Sequence, residues 1–554
     1  MSKQVKSSKF KALAASLKDV LSETWRQGAG KASLILMAIL VVIAIYAAAA
    51  MPPNFRDAIW DNIEVQGENP SLVPPEWVKY LGVPYAPHVT TMLDKPVDKL
   101  DLENQIYESN YTATYNLEHE VFPQGIIAKG YELLIVVVGN YTIGPRCRIF
   151  ISRPDGVTGL YTDTSVTLTA SPESAWSRSN TTVKLSESEN IKSDLLYKVV
   201  VKYANESGLL VLKDRAYYIK FSTVNGTFLE PVGNVVSMLI EDFTLKPYKY
   251  VFGKISSINA SYEFMRGQWS LQRVAASVEP LAGSYNITIS CRYTALPQAA
   301  LSRIQALKPF NSIKLIVKGS AYGFMGTDAN GRDLALGLLY GFPLAIAIGF
   351  FVAGLTSLIG LIAGVVSGYY GGIVDEIIQR MVDVMGNIPL LPILIIIAMA
   401  LMVTYAEAPL IVLMGILTVL IVFGWGGLAI IVRAMTLSIK EEPYIEAAKA
   451  LGASNRRIIF KHIIPQVIPY VVASLVFSVP GAILTEAGLS VLGIRHGYPT
   501  WGAILSEAYR YMRVAMEALW WVLPPGILIS VTSLAFVLLG MALEKVVEPR
   551  LRTA

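Results

Sequence analysis

Chemistry needs nucleophiles, acid–base pairs or metal ligands at workable spacing, and this chain supplies few: four histidines and two cysteines in 554 residues. No His/Cys/Asp group has metal-ligand spacing, and no nucleophile-elbow motif occurs. No GxxxxGK[ST] phosphate loop is present, so the chain cannot itself be an ATPase. A few polar residues still invite a role. Glu486 sits in an apolar stretch, where a carboxylate is costly unless paired or wet; it is a candidate pathway or gate residue, with a structural hydrogen bond equally open. Asp328, Arg332 and Asp333 precede another apolar stretch, where ionic contacts could hold an outer gate or the mouth of a pathway; local helix capping by Asp328 is the plainer reading. Cys147 and Cys291 lie 144 residues apart and can form a disulfide or remain two buried thiols. The most informative stretch is EEPYIEAAKALGASNRRIIFKHIIP, Glu441 to Pro465. It predicts a short helix over Glu442 to Leu451, ended by Gly452 in the left-handed conformation, with Ser454 capping the next helix. Its face of Ala447, Ala448 and Ala450 could lie in a groove on another protein, or the helix could rest on a membrane surface.

The elements that position these residues follow from hydropathy and charge. Hydrophobic residues make up 53% and charged residues 16%, and mean hydropathy is +0.47, which places the chain in a membrane. A net charge of +5 with no basic tract interleaved with aromatics gives no case for nucleic acid. Ser33 to Met51 is uncharged and long enough to cross about 30 Å of hydrocarbon. The basic residues of 1–32 put the N-terminus in the cytoplasm, and the length of the basic leader and the apolar core favours an uncleaved anchor over a cleaved signal. Five more spans are expected at about 342–368, 388–404, 409–432, 467–492 and 520–543. Six spans return the C-terminus to the cytoplasm. The intervening basic segment, with Arg433, Lys440, Lys449, Arg456, Arg457 and Lys461, then falls on the same side. Gly360, Gly364 and Gly368 form a small-residue stripe that permits close helix packing, within the chain or against a partner.

Residues 52–318 read differently. Short β-branched and aromatic runs separated by Gly, Asn, Pro and Ser turns predict a β-rich domain, best guessed as a β-sandwich, outside the membrane. Seven Asn-X-Ser/Thr sequons begin at Asn110, Asn140, Asn180, Asn205, Asn225, Asn259 and Asn286, and none lies elsewhere. Glycosylation acts on the exported side, so the clustering agrees with the charges; the plain alternative is that such residues are common on β-rich surfaces. The organisation is thus a cytoplasmic segment 1–32, a span 33–51, an extracytoplasmic domain 52–318, and a helical core 319–554 containing the loop 441–465.

Glu446-Ala447-Ala448, three residues, Gly452, and Pro465 thirteen positions after the glycine resemble the EAA loop of ABC importer permeases. GTDANGRD (Gly326 to Asp333), GYYGGIVDEIIQRMVD (Gly368 to Asp383), EAGLSVLG (Glu486 to Gly493) and PTWGAIL (Pro499 to Leu505) occur in the order of the dipeptide, oligopeptide and nickel permeases, C-subunit type. The resemblance covers the first span and 320–554 but not the outside domain. Gly323, Phe324 and Met325 stand where the family usually has His-Pro-Leu, and EKVVEPRLR from Glu544 replaces its acidic C-terminal block, which leaves substrate identity and fine gating open. The resemblance implies a type I importer permease core, an α-helical polytopic membrane protein with six spans, into which the β-rich domain read from 52–318 is inserted. It implies a second permease subunit, two cytoplasmic ABC ATPases that use ATP and Mg, and an extracytoplasmic solute-binding protein, with no cofactor on this chain. Glu446, Ala447, Ala448, Gly452 and Pro465 would couple the ATPases to the spans. Di- or oligopeptides are the expected cargo; oligosaccharides or nickel chelates are the alternatives. From other classes, an anchored surface glycoprotein would need the loop to be incidental, and a membrane enzyme would need a polar catalytic set inside the spans, where only Glu486 stands.

Overall fold

The structure is a computed structural model that describes residues 22–131, most of 134–169, strands within 182–220, and 253–265, 268–294, 312–405, 408–494, 496–511 and 518–547. Contacts divide the chain into two compact units: Met1–Ile63 with Arg332–Ala554, and Glu64–Gly331.

The first unit is helical. Long apolar runs take this form because in lipid a helix satisfies every backbone group internally. Its helices are α1 (Gly28–Ala50), α2 (Leu334–Tyr370), α3 (Gly372–Asn387), α4 (Leu390–Thr404), α5 (Pro409–Gly424) and α6 (Gly426–Lys440). There follow α7 (Pro443–Ala450), α8 (Asn455–Ile458), α9 (Ile464–Val491), α10 (Trp501–Arg510) and α11 (Leu519–Val547). By length and composition, five stretches could cross a membrane: α1, α2, Pro409–Lys440, Asn455–Val491 and Leu519–Lys545. The bent pair α3 and α4, meeting at 79°, raises the number to six if it counts as one span. The span expected at 388–404 is therefore α4, only 15 residues long and entered through the amphipathic α3. The bend falls at Ile388 and Pro389, where proline disfavours helical conformation in the residue before it.

Glycine decides how α2 packs. A Cβ at Gly364 would lie 2.6 Å from Val432 Cβ, and one at Gly368 would lie 2.8 Å from the Arg433 carbonyl oxygen. With Gly360 against Leu428 and the Trp425 carbonyl, the stripe seats α2 on α6 within the chain. Asp333 starts α2 by accepting hydrogen bonds from the Ala335 and Leu336 amides at 2.8 and 3.2 Å. A core of Ile348, Leu394, Val412, Ile416 and Leu420 joins α2, α4 and α5.

The second unit is antiparallel sheet. β1 (Val89–Leu93), β2 (Val97–Asp101), β3 (Ile106–Leu117), β4 (Gly125–Tyr131), β5 (Arg146–Ser152), β6 (Thr158–Ser165), β7 (Ala216–Lys220), β8 (Gly283–Tyr293) and β9 (Ser312–Lys318) form two of its sheets. Their orders are β1-β9-β4-β7 and β2-β3-β8-β5-β6. Among the described residues there are also a six-stranded sheet and a two-stranded ribbon, Gly253–Met265 with Gln268–Pro280. In β3 and β8, alternate residues Tyr107, Tyr111, Tyr115, Ile287 and Ile289 are buried, the period-two pattern of a sheet with one covered face. Cys147 on β5 lies directly opposite Cys291 on β8, and the two are disulfide-bonded. The bridge therefore joins neighbouring strands that the sequence holds far apart.

Candidate functional site

The stretch from Glu441 to Pro465 folds as helix, turn, helix. Pro443 opens α7 at a first-turn position that needs no amide. Gly452 takes φ +79°, the Gly452 amide reaches the Lys449 carbonyl at 2.9 Å, and the Ala453 amide reaches Ala448 at 3.0 Å. These bonds satisfy carbonyls that a helix end would leave open. Ser454 accepts from the Arg457 amide at 3.4 Å and caps α8. Of the eight residues of α7 only Ile445 is buried, and it packs with Val365, Val432, Ile458 and Val467 from α2, α6, α8 and α9. Glu446, Ala447 and Gly452 are exposed, Ala448 is half-buried, and Pro465 is exposed at the start of α9. Leu451 is 89% exposed. One buried apolar residue faces inward, while an apolar tip and small residues form an exposed plug that this chain leaves uncovered.

Polar contacts fasten the base of the plug. Tyr369, in the last turn of α2, donates its hydroxyl to the Asn455 side-chain carbonyl at 2.9 Å, and Lys440 stands over the Tyr369 ring at 5.9 Å. Two turns of chain further on, Asp375 of α3 takes a two-pronged contact from Arg433 of α6, with both bonds at 2.5 Å. Ser367 of α2 donates to the same carboxylate. The fork geometry suits arginine and not lysine.

At the other end of α9, Glu486 is 4% exposed. Its Oε1 accepts from Thr500 Oγ1 at 2.7 Å and Ser490 Oγ at 3.0 Å, and lies 2.9 Å from His496 Nε2. The Tyr498 amide donates to His496 Nδ1 at 3.2 Å, which leaves Nε2 as the proton-bearing nitrogen facing the carboxylate. Thr500 also caps α10 through the Ala503 amide at 3.2 Å. Glu486 thus ties the end of α9 to the loop and to α10. Between α9 and α11 an apolar cleft of about 730 Å³ is lined by Leu484, Gly488, Leu492, Gly526, Ile529 and Ser530. Gly488 and Gly526 face open space, since a Cβ on either would touch nothing within 4 Å.

The remaining candidates each have their own partners. Asp328 is buried in the β unit and folds its carboxylate onto the Asn330 amide at 2.9 Å. Asp333 caps α2. Arg332 pairs with Glu507 of α10 and lies 4.6 Å above the Trp60 ring. Among the sequons, Asn286 is exposed and Asn110 half-buried on one face of the β3–β8 pair. Asn259 lies on a described strand; Asn140, Asn180, Asn205 and Asn225 lie outside the described residues. His496, Thr500, Glu507, Asp375 and Arg433 were not singled out from sequence as partners. Only the position of Asp375 and Thr500 inside the family-like blocks could have flagged them.

Residues 357–553 match the family model of the binding-protein-dependent transport system inner membrane component. The dipeptide transport system permease protein DppC of Bacillus subtilis is 35% identical over 241 residues, covering 42% of this chain and 70% of the relative. The oligopeptide transport system permease protein OppC of Haemophilus influenzae is 35% identical over 236 residues, covering 41% and 71%; OppC of Bacillus subtilis is 34% identical over 231, covering 41% and 72%. Among solved structures, the inward-facing MetNI methionine ABC transporter aligns over 37% of this chain and 95% of its own, at 21% identity and a TM-score of 0.27. With more than two thirds of several peptide-system permeases matched at over 30% identity, this multi-pass membrane chain belongs to the permease subunits of ABC importers.

Proposed function

We propose that the chain is the transmembrane permease of an ATP-driven importer for di- and oligopeptides, with the loop 441–465 as the contact for a cytoplasmic ATPase. The observation that carries this is the exposed tip of α7 and Gly452, with Ile445 the one buried residue of α7, in a chain whose relatives are named dipeptide and oligopeptide permeases. A second permease subunit and two ATPases complete the transporter, the ATPases binding ATP and Mg, and a solute-binding protein delivers cargo outside. Closure of the ATPases on ATP moves the plug, and the spans exchange between inward- and outward-facing packings because ATP binds the two states unequally. Both termini lie in the cytoplasm. The β unit lies outside, as a sandwich carrying glycans on its sequons; the bonded Cys147 and Cys291 suit an oxidising compartment.

The test is reconstitution of the chain with its companion subunits in liposomes, followed by ATP-dependent uptake of labelled di- and oligopeptides in competition with oligosaccharides and nickel chelates. Peptide uptake that competitors of the other classes leave unchanged is the expected result. Uptake of an oligosaccharide or chelate alone would overturn the peptide assignment, and absence of any ATP-dependent uptake would overturn the permease reading.

A further inference from the structure

We propose that Tyr369 and the Asp375–Arg433 pair are positioning residues that carry movement of the coupling loop into α3, so that the amphipathic α3 is the arm through which ATP closure bends the α3–α4 span. This rests on the permease reading above. The geometry forms two links in series. The first joins the loop to α2: Asn455 begins α8 directly after the Gly452 turn, and its side-chain carbonyl holds the Tyr369 hydroxyl at 2.9 Å. Tyr369 is itself buried among Val432, Ile445 and Ile458, so the loop cannot shift without moving the last turn of α2. The second link joins α2 and α6 to α3: Asp375 receives Ser367 of α2 together with the Arg433 fork of α6, and Gln379, one turn along α3, donates to Ser367 Oγ at 3.2 Å.

Three helices therefore meet on one carboxylate in the first turn of α3. The fork fixes direction as well as distance, which a single charge contact would not. The grip spans a glycine joint. Gly371 and Gly372 have φ of +66° and +54° and stand in open space at the α2–α3 junction, and α3 meets α4 at 79°. An arm gripped at its first turn and jointed at both ends converts a small displacement at the grip into rotation. On its inner side Val382, with Ile378 and Met385 partly buried beside it, packs with Trp425 and Ala429, while Ile373, Ile377 and Val384 are exposed, so within this chain the arm is held on one face only.

The experiment uses the reconstituted transporter with its ATPases and solute-binding protein, and reads three quantities: ATPase subunits recovered with the permease, ATP hydrolysis, and substrate imported per ATP. Tyr369→Phe removes only a hydroxyl, Asp375→Asn only a charge, and Arg433→Lys only the fork. Each is expected to recover wild-type amounts of ATPase while import per ATP falls about fivefold, the low end of coupling between sites. Because the links act in series, the double variant Tyr369→Phe/Asp375→Asn is expected to fall no further than the worse single variant, a non-additivity that independent sites do not show. Import per ATP at the wild-type level in Tyr369→Phe and Asp375→Asn would overturn the relay while leaving the permease reading intact. Losses that multiply in the double variant, or that track loss of ATPase recovery, would overturn it too. A wild-type transporter that imports nothing would sink the permease reading first, and this proposal with it.

Discussion

Gly452 ends α7 and Glu486 ties down the far end of α9 by different physics, and their substitutions fail differently. At Gly452 an added Cβ meets nothing within 4 Å, so the obstacle is φ +79°. A β-branched residue there costs about 1–2 kcal/mol in the left-handed region, too little to unfold the helical unit but enough to re-aim α7. Gly452→Val is expected to leave the permease folded, by gel filtration in detergent, and to abolish ATP-driven uptake. Gly452→Asn, which tolerates this conformation, should retain much of it. Unchanged uptake in the valine variant would remove the loop from the coupling machinery. Glu486 is a matter of hydrogen bonds. Its one oxygen serves Thr500, Ser490 and His496, all buried. Glu486→Ala leaves buried donors with no acceptor, at about 1–3 kcal/mol each. The thermal midpoint of the purified chain should drop clearly for Glu486→Ala and much less for Glu486→Gln, whose amide oxygen still accepts. Equal midpoints for the two would mean that the shared acceptor is not what holds the loop.

Elements were legible where one local signal sufficed. The apolar runs announced their helices, and Gly452 and Ser454 announced the break in the loop because caps are written in single residues. The glycine stripe of α2 left its partner open, since spacing gives close approach without saying against what; contact with Val432 and Arg433 of α6 settles it. The bend between α3 and α4 was not foreseen: α3 is too amphipathic to register as a span, and only tertiary packing shows it leaning on Trp425. Glu486 stood out as a lone carboxylate, yet His496 and Thr500 did not, because a loop closes them onto it and no periodicity marks loop closure. In the β unit, strand runs were readable and their sheet order was not, as pairing of β3 with β8 spans more than 160 residues and leaves no local trace. That sheet architecture yields a pH prediction. His88, just before β1, has its pKa lowered from 6.5 to about 4 by burial first and then by Lys318 and Lys314 of β9. The folded ring therefore binds fewer protons than the unfolded one between these values, and stability rises with pH across that window. The contribution is complete above about pH 6.5 and is lost as pH falls toward 4. Thermal unfolding followed by intrinsic fluorescence should show the β unit weakening over that range, and His88→Gln should flatten the slope; an unchanged slope would place the pH dependence elsewhere.

Across the whole molecule, one charge asymmetry carries the proposed orientation of every element. If Lys and Arg of the first 32 residues and of the loop after α6 stay in the cytoplasm, then α1 crosses outward and the β unit is exported. On the same reading the spans that follow return α7 and Gly452 to the cytoplasmic side, where ATP is available. The bonded Cys147 and Cys291 of the β unit suit the same orientation, since a disulfide persists where thiols are not kept reduced. The proposed orientation puts loop and disulfide on opposite faces of the membrane, and that arrangement can be measured directly. Both native cysteines are bonded, so single engineered thiols report without background. In intact cells a membrane-impermeant maleimide is expected to label Thr114→Cys and Ser284→Cys on the exposed face of the β3–β8 pair. It should miss Glu446→Cys and Ser454→Cys, which are exposed in the folded chain and should react once the membrane is permeabilised. Permeabilisation is the internal control, because a thiol that stays silent in both conditions reports burial and not sidedness. Labelling of Ser454→Cys from outside would place the loop beyond reach of any cytoplasmic ATPase. The permease could then not be driven through α7, whatever its resemblance to peptide importers.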